Sequence, residues 1–253
     1  MNSVKDKKVI DWQVESLRLV LFRAKPIETV IPLWETLTGE KPEKVDSQPR
    51  ANIILEVGTF VLGSLSHISD PLRINWTLSP SQEQHQQTTS LPTLGSLFET
   101  KSQFIKMMND WLSSDSVPET NRIALGSVSI IVNNNRASAY KQLSELLHHV
   151  TIDIENSTDF FYQINRPIQS TVEPDLMLNR LSKWNAVRSM GFGLLVGEKP
   201  EVIQDTKDYV ATRLELDINT HQSNKKIFSK EKLIPLLQEL SKLGDQISTE
   251  GDK

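Results

Sequence analysis

The stretch Asn52-Ile-Ile-Leu-Glu-Val-Gly-Thr-Phe-Val-Leu-Gly-Ser-Leu-Ser-His-Ile68 decides how this chain is read. Two runs rich in aliphatic residues, Asn52 to Val57 and Phe60 to Ile68, flank Gly58-Thr59, a small pair of the kind that turns a hairpin. A third run, Leu72 to Leu78, follows between Pro71 and Pro80. Strands joined by turns this short run antiparallel, because a parallel neighbour needs a crossover of a dozen or more residues. The first half of the chain therefore holds a small antiparallel sheet.

Moving outward toward the N-terminus, Val14 to Phe22 is a strand, with Val14, Leu17, Leu19 and Leu21 set against Glu15, Arg18 and Val20, and Lys25-Pro26 ends it. Ile27 to Leu37 carries Val30, Ile31, Trp34 and Leu37 at helical spacing, with Gly39 as a stop, so it reads as a short helix. The segment containing Pro42 and Pro49 reads as a polar connector. In the other direction, Ser81 to Thr89 is a Gln-rich loop, and Ser96 to Leu112 is an amphipathic helix in which Ser96 and Glu99 fit a capping box.

Arg122 to Val132 is a strand closed by Asn133-Asn134-Asn135, and Ser138 to Val150 is a helix. Thr151 to Glu155, Phe160 to Asn165, Leu176 to Leu178, Asn185 to Val196 and Tyr209 to Asn219 are strand candidates. A last helix, from about Ser229 to Ile247, has Ser229 as a cap and Pro235 as a kink. Each half thus reads strand, short helix, antiparallel strands, long amphipathic helix. The expected fold is α+β, two similar halves, each an antiparallel sheet covered by helices. The halves are residues 1–115 and 120–253, or one continuous domain.

At 253 residues, 38% hydrophobic and 24% charged, the chain can bury an ordinary core. A net charge of -4 argues against general nucleic-acid affinity, since phosphate binding needs clustered Lys and Arg. With no cysteine there is no disulfide, thiolate nucleophile or Cys-based zinc site. Met1 to Lys8 leads into no apolar h-region, and Ala51 to Ile68 is broken by Glu56, His67 and several small residues, so a cytoplasmic protein without a membrane span is expected. No cofactor is expected.

Asp159 to Trp184 brings Phe160, Phe161, Tyr162 and Trp184 together with Arg166, Arg180 and Lys183, and the pair Asn-Arg occurs in it twice. Planar rings supply contact area and guanidinium forks supply directional hydrogen bonds, so the expected partner-binding residues are Tyr162, Arg166, Arg180, Lys183, Trp184 and Arg188. The alternative is a set of core aromatics with sheet-edge charges. A protein partner fits the net charge better than single-stranded nucleic acid stacked on the rings.

Glu215-Leu-Asp217-Ile-Asn219-Thr-His221 alternates as a strand that places Glu215, Asp217 and His221 on one side. Hard oxygen ligands with an imidazole suit a divalent metal, which makes a metal-dependent phosphodiesterase or nuclease the alternative function. A second group, Glu145, His148, His149, Asp153 and Glu155, would complete such a site if the two met in space. Gly191 to Gly197 lacks the Lys-Ser/Thr of a phosphate loop, and no Gly-x-Ser-x-Gly elbow is present.

Arg213-Leu-Glu-Leu-Asp-Ile-Asn, Ile227-Phe-Ser and the helix Glu231-Lys-Leu-Ile-Pro-Leu-Leu-Gln-Glu-Leu resemble the end of a sporadically distributed, largely uncharacterised bacterial family. The resemblance covers about the last forty residues. It implies an α+β fold like that of the SecB chaperone and a gene placed near mobile or phage-defence loci. The function expected is a non-catalytic protein-binding subunit, as of a bacterial defence or toxin-associated complex, with a SecB-like chaperone as a further alternative.

Overall fold

Strand β1 (Gln13–Arg23) lies at the centre of a single sheet, paired antiparallel with β5 (Arg73–Ser79) on one side and β6 (Thr120–Asn133) on the other. The structure is a computed structural model that describes residues 10–81, 91–195 and 201–253, with backbone only for 189–195 and 201–208. Among the described residues the sheet has ten strands. Its order is β2 (Lys44–Gln48), β3 (Ile53–Phe60), β4 (Gly63–Ser69), β5, β1, β6, β10 (Glu201–Thr220), β9 (Met177–Leu195) and β7 (Phe161–Asn165), and β8 (Ile168–Gln169) also pairs with β9.

The expectation of two separate helix-covered halves is overturned. Both halves contribute to one large antiparallel sheet, because β1 and β6 pair from Gln13↔Ile130 to Arg23↔Thr120. Two separate sheets would each have left a long edge strand with unpaired backbone groups; the pairing removes both edges.

Helices α1 (Trp34–Thr38), α2 (Leu97–Leu112), α3 (Arg136–Leu146) and α4 (Lys230–Glu250) cover one face of the sheet. Leu17, Leu19 and Leu21 of β1, Ile123 and Leu125 of β6, and Leu214, Leu216 and Ile218 of β10 point into that layer. They meet Phe104, Met108, Leu143, Leu236 and Leu240 of the helices in one buried cluster. A register shift between Val14 and Ser16 lets Val14 and Leu17, three apart, both face inward. No helix of the described residues is long and apolar enough to cross a membrane.

Several local expectations shift for identifiable reasons. The residues before Trp34 are not helical, as Pro32 disfavours helix at Ile31, although Gly39 does end α1 in the left-handed conformation. The hairpin turns at Val61-Leu62 rather than Gly58-Thr59. Gly58 is small for a different purpose: a Cβ there would lie 2.8 Å from the Trp34 ring. The connector between Pro42 and Pro49 contains β2, and Thr151 to Glu155 is not a strand.

The described part of the expected strands at Leu176 to Leu178 and Asn185 to Val196, Met177-Leu178 and Asn185 to Leu195, proves to be the two ends of the single strand β9, whose outer part pairs with β10 as a two-stranded ribbon. Neither Ser96 nor Ser229 makes a side-chain cap hydrogen bond; Asn135 instead accepts from Ser138 N at 2.9 Å and caps α3. α4 continues through Pro235 as one helix. Most of the Ser81 to Thr89 loop, and Val196 and Gly197 of the glycine-containing run, lie outside the described residues.

Candidate functional site

The six residues expected to bind a partner divide among four environments. Trp184 is fully buried on the helix-covered face, edge-on to Trp12 at 6.3 Å, with its Nε1 donating to Ser182 Oγ. It is core. Tyr162 sits across from it in register and is half-buried. Lys183 points to the opposite face, where Nζ donates to Glu215 Oε1 at 2.8 Å. Arg188 is exposed near the start of α3, bordering a hollow lined by Asn135, Arg136, Tyr140 and Asp159.

Arg166 and Arg180 come together. The two Asn-Arg pairs face each other: Arg166 N donates to Arg180 O, Arg180 N donates to Asn165 Oδ1, and Asn165 Nδ2 donates to Asn179 Oδ1. Arg166 faces the segment following α4, and Glu250, the last residue of α4, acts on Arg180 beside it. Asp252, 3% exposed, accepts from His148 N at 2.7 Å and from the Tyr162 hydroxyl at 3.3 Å, and lies 3.6 Å from Arg166 Nη2. The backbone of Asp252 donates to Leu146 O, and His148 Nε2 donates to Glu250 O. Burial lowers the pKa of Arg180 and the charge of Arg166 lowers it further, against the opposing pull of Glu250.

Among the described residues, no helix packs on the other face of the sheet. A belt of charges crosses it from β1 to β9: Glu15 accepts from Arg213 Nε at 2.9 Å, Arg213 Nη1 lies 3.5 Å from Glu215, and Glu215 accepts from Lys183. Burial pushes the Glu215 carboxyl up, but Lys183, Arg213 and Arg18 outweigh it and hold it below its ordinary range. Next to the belt, amides hand hydrogen bonds along three strands, from Asn165 to Asn179 to Asn219 and finally to Asp217 Oδ1.

The alternation read for Glu215, Asp217 and Asn219 holds, since Leu216 and Ile218 are buried between them. The side chains are otherwise engaged. Glu215 is ion-paired, Asp217 accepts from Asn219 Nδ2 at 3.0 Å, and His221 Nδ1 contacts Ser223 Oγ at 2.7 Å beyond the strand end. His148 lies at the end of α3 in the helix layer, across the sheet from Asp217, so the two acid and imidazole groups do not meet. Among the described residues no group of three or more His, Asp or Glu side chains is placed to hold a metal.

Three features escaped the sequence reading. Phe161, present in the Asp159 to Trp184 stretch but left out of the expected partner-binding set, is 58% exposed beside Asn185 on the face away from the helices, whereas Phe160 packs on Tyr140 at 6.1 Å. Asp252 gave no signal at all, being one acid in a polar end. Glu56 and His67 are a buried pair at 2.8 Å whose shared burial shows only once β3 and β4 are in register. No family model matches this chain, and no curated protein matches it.

Proposed function

We propose that this chain is a non-catalytic protein-binding subunit that presents the uncovered face of its sheet to another protein. The observation that supports this reading is the one-sided cover: the helices pack on one face, and among the described residues no helix packs on the other across nine neighbouring strands. Eight inter-strand spacings of about 4.8 Å make that face roughly 38 Å wide. With central strands of about 20 Å it offers on the order of 800 Å², the share each partner contributes to a standard interface. The paired belt of Glu15, Arg213, Glu215 and Lys183 supplies fixed charges of both signs, which set register and partner choice. Exposed Phe161 on the edge strand β7 and exposed Val132 on β6 supply apolar anchors.

The test is recovery of the complex from native cells with tagged parent chain, the double variant Phe161→Ala/Arg213→Glu, and the control Phe98→Ala on the opposite face, where Phe98 is 77% exposed. The parent and control retain the same partner, and the double variant loses it while keeping the parental circular dichroism spectrum. Retention of that partner by the double variant removes the open face as the binding surface.

A further inference from the structure

We infer that Arg166 and Arg180, with the Tyr162 hydroxyl and the His148 amide, form a receptor for an acidic segment of another polypeptide, and that Asp252 occupies this receptor until such a segment displaces it. The site is independent of the open sheet face. It lies on the helix side of the sheet, since Arg180 is in register with buried Ile218 and Tyr162 with buried Trp184.

Three observations carry the assignment. Asp252 shows the chemistry that the site accepts: a carboxylate whose side chain is wholly shielded from solvent, placed at the C-terminal end of α3 where the helix dipole disfavours a negative charge. Arg166, with Arg180 beside it, offsets that disfavoured placement. They are also incompletely used. Nε of Arg166 and Nε of Arg180 are both buried with no hydrogen-bond partner among the described residues. The contacts that Asp252 makes to Arg166 and Tyr162, 3.6 and 3.3 Å, are long beside the 2.7–2.9 Å of a good charge-assisted bond. A carboxylate presented in the plane of either guanidinium fork makes the paired bonds that Asp252 does not.

The Arg166 side chain keeps 32% of its surface open, so an incoming segment can reach it. Release of Asp252 breaks its bonds to His148 N, the Tyr162 hydroxyl and Leu146 O and pivots at Gly251, which sits at φ 75°, ψ -148°, a conformation reserved for glycine. A Cβ there would stand 1.8 Å from Leu146 O, so the docked geometry depends on that glycine. Being tethered, Asp252 acts at an effective concentration of order millimolar, which keeps a weak external competitor out.

The probe is a fluorescein-labelled peptide of residues 248–253, Ser-Thr-Glu-Gly-Asp-Lys, titrated by anisotropy against the full-length parent, Gly251→Ala and Asp252→Asn. Both variants bind it at least about tenfold more tightly than the parent, because the tethered competitor is weakened. Adding Arg166→Gln or Arg180→Gln to Asp252→Asn abolishes the gain. Asp252→Asn keeps an oxygen acceptor for the His148 amide, so it serves if Gly251→Ala fails to fold. Equal affinity in parent and folded variants, or binding indifferent to both arginine changes, overturns the receptor. Displacement by inorganic phosphate at the concentration of unlabelled peptide that displaces the probe reassigns the site to free anions and overturns the peptide reading.

Discussion

Glu56 interrupts an apolar run, and the structure gives that interruption a purpose. Its Oε2 accepts from Leu33 N at 2.8 Å, from Trp34 N at 3.0 Å and from His67 Nδ1 at 2.8 Å, so one carboxylate fixes the start of α1 to β3 and β4. His67 in turn lies 4.5 Å from the Trp76 ring, and Trp76 meets Trp111 edge-on at 5.6 Å. Removing the carboxylate strands two backbone amides and an imidazole in the core. Glu56→Ala is therefore expected to cost about 3–5 kcal/mol, read from urea denaturation. The pH dependence follows from the same contacts. Burial raises the Glu56 pKa, and the bonds from His67, Leu33 and Trp34 together outweigh it and leave it below the ordinary value of 4.5. A carboxylate depressed on folding contributes stability that is full above its unfolded pKa and lost as pH falls through the folded one. Melting temperatures of parent and Glu56→Gln should converge as pH drops below about 4.5; a gap that stays constant down to pH of about 3 contradicts the assignment. The sequence shows Glu56 only as a charge that breaks an apolar run, and nothing local shows that it accepts from the amide of a residue twenty-three positions earlier.

At the level of elements, legibility followed how locally each was determined. α2, α4, β1 and β5 were readable because their apolar periodicity repeats over many residues. β2 was not, since its five residues are all exposed and gain their regular form from β3 alone. The β3–β4 turn was misplaced because tertiary packing of Trp34 claims Gly58 and pushes the turn onto Phe60-Val61-Leu62. Leu62 N donates to Phe60 O at 2.7 Å around Val61, which is held at φ 51° and is 75% exposed. A β-branched residue in the left-handed region carries a steric cost of about 1–2 kcal/mol, and its exposed side chain recovers little by burial. Val61→Asn is expected to stabilise the protein by about 1 kcal/mol, a rise of some 2–4 °C in melting temperature. A loss of stability would show that the valine makes a compensating contact. The candidate site follows the same division. The two Asn-Arg pairs were visible as a repeat, but their cross-strand juxtaposition depends on the β7–β9 register, and the acidic counterpart of Arg166 is 86 residues distant in sequence.

For the molecule as a whole, the central pairing of β1 with β6 decides whether the two ends of the chain can be stable apart. β1 lends one edge to β5 and the other to β6, and its apolar residues Leu17, Leu19 and Leu21 belong to the cluster that includes Leu216 and Ile218 of β10 and Leu240 of α4. Lys101 of α2 reaches Asp245 and Ser241 O of α4, and Trp12 Nε1 donates to Ser248 O, so the helix layer is cross-linked between early and late residues as well. A fragment of residues 1–115 would leave β1 as an eleven-residue edge with apolar side chains bared, the arrangement that invites aggregation. Unfolding of the whole chain should accordingly be one cooperative transition, with circular dichroism and tryptophan fluorescence coincident across a urea titration, and the isolated fragment should show no native-like dispersion in a proton–nitrogen correlation spectrum. Two separated transitions, or a well-dispersed spectrum from 1–115 alone, would mean that the β1–β6 seam joins two independently stable bodies. One transition means that the face without helices, which spans that seam, folds as one unit with both ends of the chain, so the surface proposed for a partner is not assembled from two independently stable bodies.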